Sequence, residues 1–498
     1  MTIKIKNRIK ITTPSPKIRW TIFCVLAALA LAVRLPQLGS RPMHTDEAVN
    51  AYITGQLLAG EKYRYDPQDR HGPVLYLLAK PVAQLGGAKA FSELTETQLR
   101  LTPVMVGAGL ILLFGAVVEI FGFIPCLIAA LLFAFAPLPV YYSRYFIHET
   151  PFVAATFGLA LSGWQALKKN SLKFAALAGL CAALMLACKE TAVIHFFAAG
   201  CAGFVGWLAN SRKPFPTFKI TATVTVVFLI TAILLFTWGG QNWSALGSLL
   251  TAISRFSARA AGEGHAKSFD YYLSVIGTGS GFVLLAVVGI IAALGHVRKG
   301  RRKSSLVLLI YALLTFLIYS AIPYKTPWLA LNLWLPLALL CGLGAEAVWF
   351  KVTGTTGRSI VAIAFFGLMV MLGHQTKLLV FDRPADEKNP FAYAHTSEDL
   401  LRLPGRIEEL SRQKNLSSPR IAVVTTDAWP LPWYLRKFFQ VGYWQPGQET
   451  GAADFFITTT DVRGGLAKQL KSYRPEFFGV RPNMLLILWT PPTTLPPP

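Results

Sequence analysis

Two adjacent carboxylates, Asp46 and Glu47, lie in residues 41–48 (RPMHTDEA), directly after the first apolar segment, with His44 just before them. A carboxylate that accepts the proton of a hydroxyl turns that hydroxyl into a nucleophile. Neighbouring helical side chains point about 100° apart, so we expect the two acids to have separate tasks. The same residues also fit a helix start, with Thr45 as N-cap and both acids complementing the helix dipole.

A second polar stretch, residues 142–151 (YSRYFIHETP), separates two apolar runs. His148 and Glu149 could together bind a divalent metal ion, and Arg144 could bind an anion. The alternative is a hydrated turn in which Arg144 and Glu149 form an ion pair.

Two isolated lysines stand at the ends of apolar runs. Lys189 is followed at once by Glu190, and Lys325 lies in residues 324–328 (YKTPW). Charges at a membrane boundary are candidates for function, here as cations that bind phosphate. The alternatives are a snorkelling side chain for Lys189 and an interfacial anchor for Lys325.

The long segment 36–100 contains residues 65–67 (YDP) and 71–73 (HGP). Proline and glycine favour a turn there, and His71 could face a site. We expect short helices in this segment that lie along a membrane surface.

Composition indicates a membrane protein. Of 498 residues, 53% are hydrophobic and only 15% are charged, against about 25% in soluble domains. Mean hydropathy is +0.46. Apolar runs long enough to cross a bilayer predict about eleven transmembrane helices, at 20–33, 101–121, 123–140, 152–167, 172–188, 191–209, 220–238, 273–297, 306–322, 329–350 and 359–381.

The charges predict the orientation. With a cytoplasmic N-terminus, the cytoplasmic loops are 119–123, 168–173, 210–219, 298–305 and 351–358, and the last four contain basic residues without an acid. Basic loops are retained in the cytoplasm, which accounts for the net charge of +23 without nucleic acid as a partner. Nearly all acids then lie outside, and Glu119 and Glu346 are the exceptions.

The basic segment 1–19 and the apolar run after it fit either a retained anchor, which we favour, or a cleaved signal peptide. Both place residue 40 outside. The six cysteines all lie in apolar segments without the spacing of a metal site, and we interpret them as small core residues.

Residues 382–498 are polar and predict a small extracytoplasmic α/β domain after the transmembrane domain 1–381. We expect strands at 421–426, 455–459 and 484–489. We expect helices at 397–413, broken at Pro404-Gly405, and at 431–439 and 466–473. Trp429, Trp433 and Tyr434 could stack on a sugar ring, but core or membrane packing is our preferred interpretation.

The candidates therefore gather at one membrane face: carboxylates, histidines and cations. This set suits a lipid that carries a sugar through a phosphate, with a carboxylate activating an acceptor hydroxyl and cations stabilising the departing phosphate. A divalent metal ion is a candidate cofactor. No glycine-rich nucleotide-binding motif is present in the sequence, so no nucleotide cofactor is expected.

The same motifs resemble the GT-C glycosyltransferases, in the branch of protein O-mannosyltransferases and aminoarabinose transferases. The nearest resemblance is to the flippase activity-associated proteins of archaeal-type N-glycosylation, through residues 44–48, 65–73, 143–145, 189–190, 325–328 and 429–434. The resemblance implies a polyprenyl-phosphate sugar donor and a protein, lipid or glycan acceptor. It also implies Asp46 as catalytic base or metal-linked carboxylate, Glu149 as a second acid and Lys189 near the lipid phosphate.

Two other functions stay open from the sequence. A lipid-linked sugar flippase would need polar groups near the middle of the membrane, and few charges lie inside the spans. A non-catalytic partner of a glycan assembly system would work through its outer domain.

Overall fold

The computed structural model describes residues 14–68, 70–209, 217–260, 265–278, 280–298, 303–462 and 464–492. Most of the basic N-terminal segment, parts of the basic loops 210–219 and 298–305, and the end of the C-terminal tail lie outside the described residues.

Helices dominate the chain, and each apolar run predicted from the sequence contains one. The α-helices are α1 (Pro16–Arg34), α2 (Thr45–Leu58), α3 (Val74–Leu85), α4 (Glu96–Ala116), α5 (Val118–Phe121), α6 (Phe123–Phe135), α7 (Pro137–Tyr142), α8 (Glu149–Lys169), α9 (Leu172–Leu186), α10 (Ala192–Leu208), α11 (Phe218–Phe236), α12 (Ser244–Ala260), α13 (Tyr271–Ile276), α14 (Ser280–Arg298), α15 (Ser304–Ala321), α16 (Ala330–Lys351), α17 (Thr355–Thr376), α18 (Arg402–Gln413), α19 (Leu431–Tyr434) and α20 (Gly464–Gln469).

Six helices in the described part of the chain are long and apolar enough to cross a membrane: α1, α4, α11, α15, α16 and α17. Shorter apolar helices accompany them, among them α6, α9 and α10. The prediction of a helical multi-pass membrane protein is confirmed. The number of about eleven spans stays a prediction.

Helix α16 is the centre of the bundle and packs against α6 and α14. Two glycines permit this packing. A Cβ on Gly289 of α14 would lie 1.9 Å from the Leu340 carbonyl oxygen, and one on Gly342 would lie 2.1 Å from the Pro125 carbonyl oxygen. Small residues allow helix backbones to approach closely where no hydrophobic effect drives association.

The C-terminal part forms a five-stranded sheet in the order β2-β1-β3-β5-β4. Its strands are β1 (Arg420–Val424), β2 (Gln440–Trp444), β3 (Phe455–Thr458), β4 (Arg474–Arg481) and β5 (Met484–Thr490). β1 pairs in parallel with β2 and β3, and β5 pairs antiparallel with β3 and β4. The three predicted strands are present. The two that were not predicted are the edge strands, whose partly exposed residues lack a continuous apolar run.

The helix predictions for this part need correction. Pro404 and Gly405 do not break α18, because Pro404 lies in its first turn, where a backbone N–H has no intrahelical acceptor. The helix predicted at 431–439 is only the single turn α19, and the one predicted at 466–473 is α20 followed by a 3₁₀ turn.

Residues 429–434 join the sheet to the helices. Trp433 is fully buried and donates its indole N–H to Glu96 at 2.9 Å. The hydroxyl of Tyr434 accepts the N–H of Met43 at 2.9 Å, and the Thr396 hydroxyl donates to the Met43 carbonyl at 2.6 Å. The packing interpretation therefore holds for Trp433 and Tyr434, and these contacts fix the segment just before Asp46.

Candidate active site

A cavity of about 120 Å³ opens where the polar stretches meet. Its walls come from helix α2, the segment 67–71, the turn after α9 with the start of α10, helix α12, and the end of α15 with the segment after it. The charged and polar residues that line it are Asp46, His71, Lys189, Glu190, Thr191, Arg255, Tyr319, Tyr324 and Thr326. These residues come from five distant parts of the chain, and Asp46, His71, Lys189 and Glu190 are among the site candidates predicted from the sequence.

Asp46 is one of two acidic residues that line the cavity, with Glu190. It lies in the first turn of α2 and is half-buried. Within the described part of the chain its carboxylate makes no hydrogen bond or ion pair with another side chain, whereas its backbone N–H is capped by His44 Nδ1 at 3.1 Å. A carboxylate fixed by its backbone but without a partner is available to a substrate proton.

Glu47 points away from Asp46 and is fully buried. Arg100 of α4 donates to both of its oxygens at 2.8 Å, and Arg41 donates at 3.1 Å. The backbone N–H groups of Phe146 and His44 complete the set at 2.9 and 3.2 Å. Burial alone would raise the pKa of Glu47, but the two guanidinium groups outweigh it and hold that pKa well below its usual range.

Glu47 thus links α2, α4 and the 142–149 turn, and does not touch the cavity. We expect Glu47→Gln to lower the free energy of unfolding by about 3 kcal/mol, because it leaves buried guanidinium charges uncompensated. Thermal unfolding in detergent measures this. The control is Glu61→Gln on the exposed end of the same segment, and equal melting temperatures for both variants would contradict the role.

Lys189 and Glu149 form a buried ion pair beside the cavity. Only 13% of the Lys189 side chain and 2% of the Glu149 side chain are exposed. Burial would lower the pKa of Lys189, but Glu149 outweighs it and raises that pKa. Lys189 lines the cavity and Glu149 lies behind it, so the pair presents one permanent cation to a ligand.

His71 and Glu190 form a second pair. The carboxylate of Glu190 lies 2.7 Å from His71 Nδ1 and accepts the Tyr65 hydroxyl at 2.8 Å. Burial would raise the pKa of Glu190, but His71 outweighs it and lowers that pKa to about 2. Glu190 therefore orients the imidazole that faces the cavity.

His148 lies behind His71, and their ring centroids are 5.2 Å apart. Burial, followed by the charges of His71 and Lys189, lowers the pKa of His148 well below its usual value, so the ring is neutral at pH 7. Its Nε2 has no hydrogen-bond partner of normal geometry among the described residues.

Gly72 allows the segment that contains His71 to pack closely against the turn that contains Lys189. A Cβ at this position would lie 2.3 Å from the carbonyl oxygen of Ala187, and the neighbouring Val74 N–H donates to that same oxygen at 3.3 Å. The absence of a side chain therefore sets the spacing between His71 and Lys189.

We expect Gly72→Ala to separate these segments, to lower the unfolding free energy by about 2 kcal/mol and to reduce activity. Melting temperature and turnover measure this. Gly109→Ala is the matched control, because a Cβ there meets nothing within 4 Å. A fully active and stable Gly72→Ala variant would show that this spacing is not required.

His44, and not Thr45 as expected, is the N-cap of α2. Its Nε2 donates to the Tyr393 carbonyl at 3.1 Å, which leaves Nδ1 to accept the Asp46 N–H. The ring packs among Tyr145, Trp328 and His395. His44 therefore positions Asp46 and does not line the cavity.

Two of the three cations predicted to bind phosphate face elsewhere. Arg144 donates to the carbonyls of Arg34 and Gln37 at 3.2 and 3.1 Å. Lys325 donates to the carbonyls of Ile322 and Lys267 at 2.5 and 3.2 Å. Both side chains donate hydrogen bonds to backbone carbonyls at helix ends and turns, and neither lines the cavity.

Sequence reasoning missed Arg255, which lines the cavity from α12 and is exposed. Its position in the predicted outer loop between the apolar runs 220–238 and 273–297 was a signal, because a basic residue there runs against the positive-inside trend, as Lys189 does. Tyr319 and Thr191 were also missed, since a hydroxyl inside an apolar run has no charge pattern to mark it.

The described residues contain no group of three or more histidine, cysteine or acidic side chains that could hold a metal ion. Of the predicted pair, Glu149 is bound to Lys189 and His148 is enclosed by the His71 and Tyr76 rings. This arrangement fits a metal ion poorly, and metal binding by this pair stays a prediction.

The chain has similarities both to a known protein family and to solved structures. Residues 70–238 match the dolichyl-phosphate-mannose-protein mannosyltransferase family. No curated protein sequence matches the chain.

Most of the chain resembles solved membrane glycosyltransferases in fold. ArnT from Cupriavidus metallidurans, bound to undecaprenyl phosphate, matches with a TM-score of 0.66 and 13% identity over 95% of this chain and 99% of that one. The oligosaccharyltransferase AglB from Archaeoglobus fulgidus, with an inhibitory peptide and a dolichol-phosphate, matches with a TM-score of 0.57 and 12% identity over 93% and 74%.

The Archaeoglobus oligosaccharyltransferase has also been solved in complex with Zn and sulfate, and that structure matches with a TM-score of 0.54 and 12% identity over 92% and 73%. The predicted GT-C fold is confirmed. The narrower resemblance to the flippase activity-associated proteins stays a prediction.

Proposed function

We propose that this multi-pass membrane protein with the GT-C glycosyltransferase fold transfers a sugar from a polyprenyl-phosphate donor to an acceptor hydroxyl or amide. The observation that carries the proposal is one cavity in which Asp46, whose carboxylate has no side-chain partner among the described residues, shares the walls with the cations Lys189 and Arg255. The family match over residues 70–238 and the lipid phosphates bound to ArnT and AglB support this donor class.

The reaction needs one proton acceptor and one anion site. Asp46 accepts the proton of the acceptor hydroxyl while the oxygen of that hydroxyl forms a bond to the anomeric carbon of the sugar. The bond between that carbon and the phosphate oxygen breaks, and both of its electrons leave with the lipid phosphate. Lys189 and Arg255 stabilise the negative charge that develops on this phosphate.

The ion pairs behind the cavity keep these groups in place. Glu149 holds the Lys189 ammonium and Glu190 orients His71, so few side chains must reorganise when the donor binds. We propose Lys189 and Arg255 as the phosphate cations in preference to Arg144 and Lys325, whose donors are occupied by backbone carbonyls. A divalent metal ion would supply further charge stabilisation, but no step here depends on one.

We further propose that the cavity opens on the extracytoplasmic face of the cell membrane and that the N-terminus is cytoplasmic. The support is the set of basic loops at the opposite helix ends, together with acids on the cavity side. On this basis the transmembrane domain is 1–381 and residues 382–498 form an extracytoplasmic domain that holds the segment before Asp46.

Sugar transfer by the purified protein tests the proposal. The protein in liposomes is given polyprenyl phosphate carrying a radiolabelled hexose, with peptide, lipid or glycan acceptors in separate reactions. We expect label to move to one acceptor class and free polyprenyl phosphate to appear in equal amount. Transport of labelled lipid across the bilayer without release of phosphate would favour a flippase instead.

A further inference from the structure

A chain of three hydrogen-bonded side chains runs from the cavity wall into the helix bundle. His195 lies in the first turn of α10, and its Nε2 is 2.9 Å from the hydroxyl of Tyr319 in α15. Its Nδ1 is 2.6 Å from the hydroxyl of Tyr311 in the same helix. Tyr319 lines the cavity, and Tyr311 lies about 12 Å deeper along α15.

The deep end of this chain determines where its protons lie. Tyr311 is in a helix that is long and apolar enough to cross a membrane, and inside a membrane neither lipid nor water offers an acceptor for its hydroxyl proton. The one acceptor within hydrogen-bond distance in the described part of the chain is His195 Nδ1, so the Tyr311 hydroxyl donates to it.

A neutral imidazole has one donor and one acceptor nitrogen. Because Nδ1 accepts from Tyr311, Nε2 carries the ring proton and donates it to the oxygen of Tyr319. The Tyr319 oxygen then serves as acceptor toward His195, and its own proton is free to point elsewhere. The two deeper residues therefore determine the direction of a proton at the cavity wall.

That free proton lies beside a second hydroxyl. The Thr191 hydroxyl lies close to Tyr319 and also lines the cavity. Thr191 is 8% exposed, and its hydroxyl makes no hydrogen bond of normal geometry with the described residues. Because the Thr191 hydroxyl is directed at the Tyr319 oxygen, their contact uses one of the two protons, and the other is left for an acceptor that belongs to the ligand.

We infer that His195 and Tyr311 position the Tyr319 hydroxyl as a hydrogen-bond donor to an oxygen of the lipid phosphate. This inference rests on the proposed function. Thr191 follows Lys189 by two residues, so the hydroxyls lie at the cationic end of the cavity, where an anion is most stable. A bridging or terminal phosphate oxygen accepts hydrogen bonds without donating at neutral pH, which suits a wall made of donors.

A tyrosine donor differs from a third cation in one respect. It adds no charge in the apolar region between the helices, where an unpaired cation would be costly. His195 and Tyr311 touch no ligand in this arrangement, so they are positioning residues and Tyr319 is the binding residue.

The test compares affinity for a polyprenyl phosphate without sugar and for the matching neutral polyprenol, by native mass spectrometry in detergent. The ratio of the two dissociation constants is the phosphate preference. We expect Tyr319→Phe to lower the preference about tenfold, since a hydrogen bond to a charged group is lost.

The positioning residues give the discriminating result. Tyr311→Phe leaves the cavity lining unchanged but frees Nδ1 to carry the proton, so Tyr319 can donate to Nε2 and turn away from the ligand. We expect the preference to fall about threefold. His195→Leu should lower it as Tyr319→Phe does, and His195→Gln, which offers both a donor and an acceptor, should retain more of it.

Tyr272→Phe is the matched control, because it removes another buried hydroxyl from a ring packed against Tyr319 but outside the cavity lining. The inference is overturned if well-folded Tyr311→Phe and Tyr319→Phe keep the wild-type preference. It is also overturned if Tyr319→Phe weakens binding of only the sugar-bearing lipid, because the Tyr319 hydroxyl would then donate to the sugar and not to the phosphate. A wild type without any phosphate preference would overturn the proposed donor class as well.

Discussion

Asp46→Asn is expected to abolish sugar transfer, with a loss of about a thousandfold or more, while donor binding and stability stay near wild type. A positioned general base contributes about 10²–10⁴-fold, and an amide cannot take up the proton. Stability should hold because the Asp46 carboxylate makes no hydrogen bond with the described residues, and because the backbone contact to His44 survives the substitution. Turnover with labelled donor, lipid binding and melting temperature are measured on the same preparation.

Asp66→Asn is the matched control for this variant. Asp66 lies in the same long segment and accepts a backbone N–H from Gln68, but it does not line the cavity. Its variant should transfer sugar at the wild-type rate. An active Asp46→Asn variant would show that Asp46 is not the base and would make His71, which also lines the cavity, the next candidate.

Lys189→Met is expected to lower affinity for polyprenyl phosphate by about 10–100-fold, because a charge-assisted contact to the phosphate is lost. It should also destabilise the protein by about 3 kcal/mol, since it leaves the buried Glu149 carboxylate without a counter-charge. Native mass spectra after addition of the lipid give the first quantity, and thermal unfolding gives the second.

The double variant Lys189→Met/Glu149→Gln separates these two effects. It removes both charges, so we expect most of the stability to return while lipid affinity stays low. If the double variant recovered affinity together with stability, Lys189 would be a structural residue and Arg255 would be the principal phosphate contact. Arg255→Gln, at an exposed position, then becomes the decisive single substitution.

The two adjacent acids show how far sequence reasoning reaches. The 3.6-residue helical period predicts that Asp46 and Glu47 point in different directions, and the structure agrees. Which acid faces the cavity is decided by Arg100, 53 residues from Glu47. A sequence does not show which distant guanidinium a carboxylate will meet, because that depends on how α2 packs against α4.

The cations illustrate the same limit. Lys189, Arg144 and Lys325 look alike in the sequence, as isolated positive residues beside aromatic residues or acids at the ends of apolar runs. Only the fold distinguishes the one paired with Glu149 at the cavity from the two that bind backbone carbonyls. Free carbonyls at helix ends and turns exist only once those elements have formed.

The sequence by itself determined that this protein folds in a membrane, and it predicted the membrane face at which its polar residues gather. Hydropathy and loop charge do that, because burial in lipid and the retention of basic loops act on each segment separately. The tertiary structure alone decided the members of the cavity: the turn at Gly72 against Ala187, Arg255 from α12 and the chain from Tyr311 through His195 to Tyr319. These depend on contacts between segments far apart in the chain, and no local pattern encodes a distance between two helices.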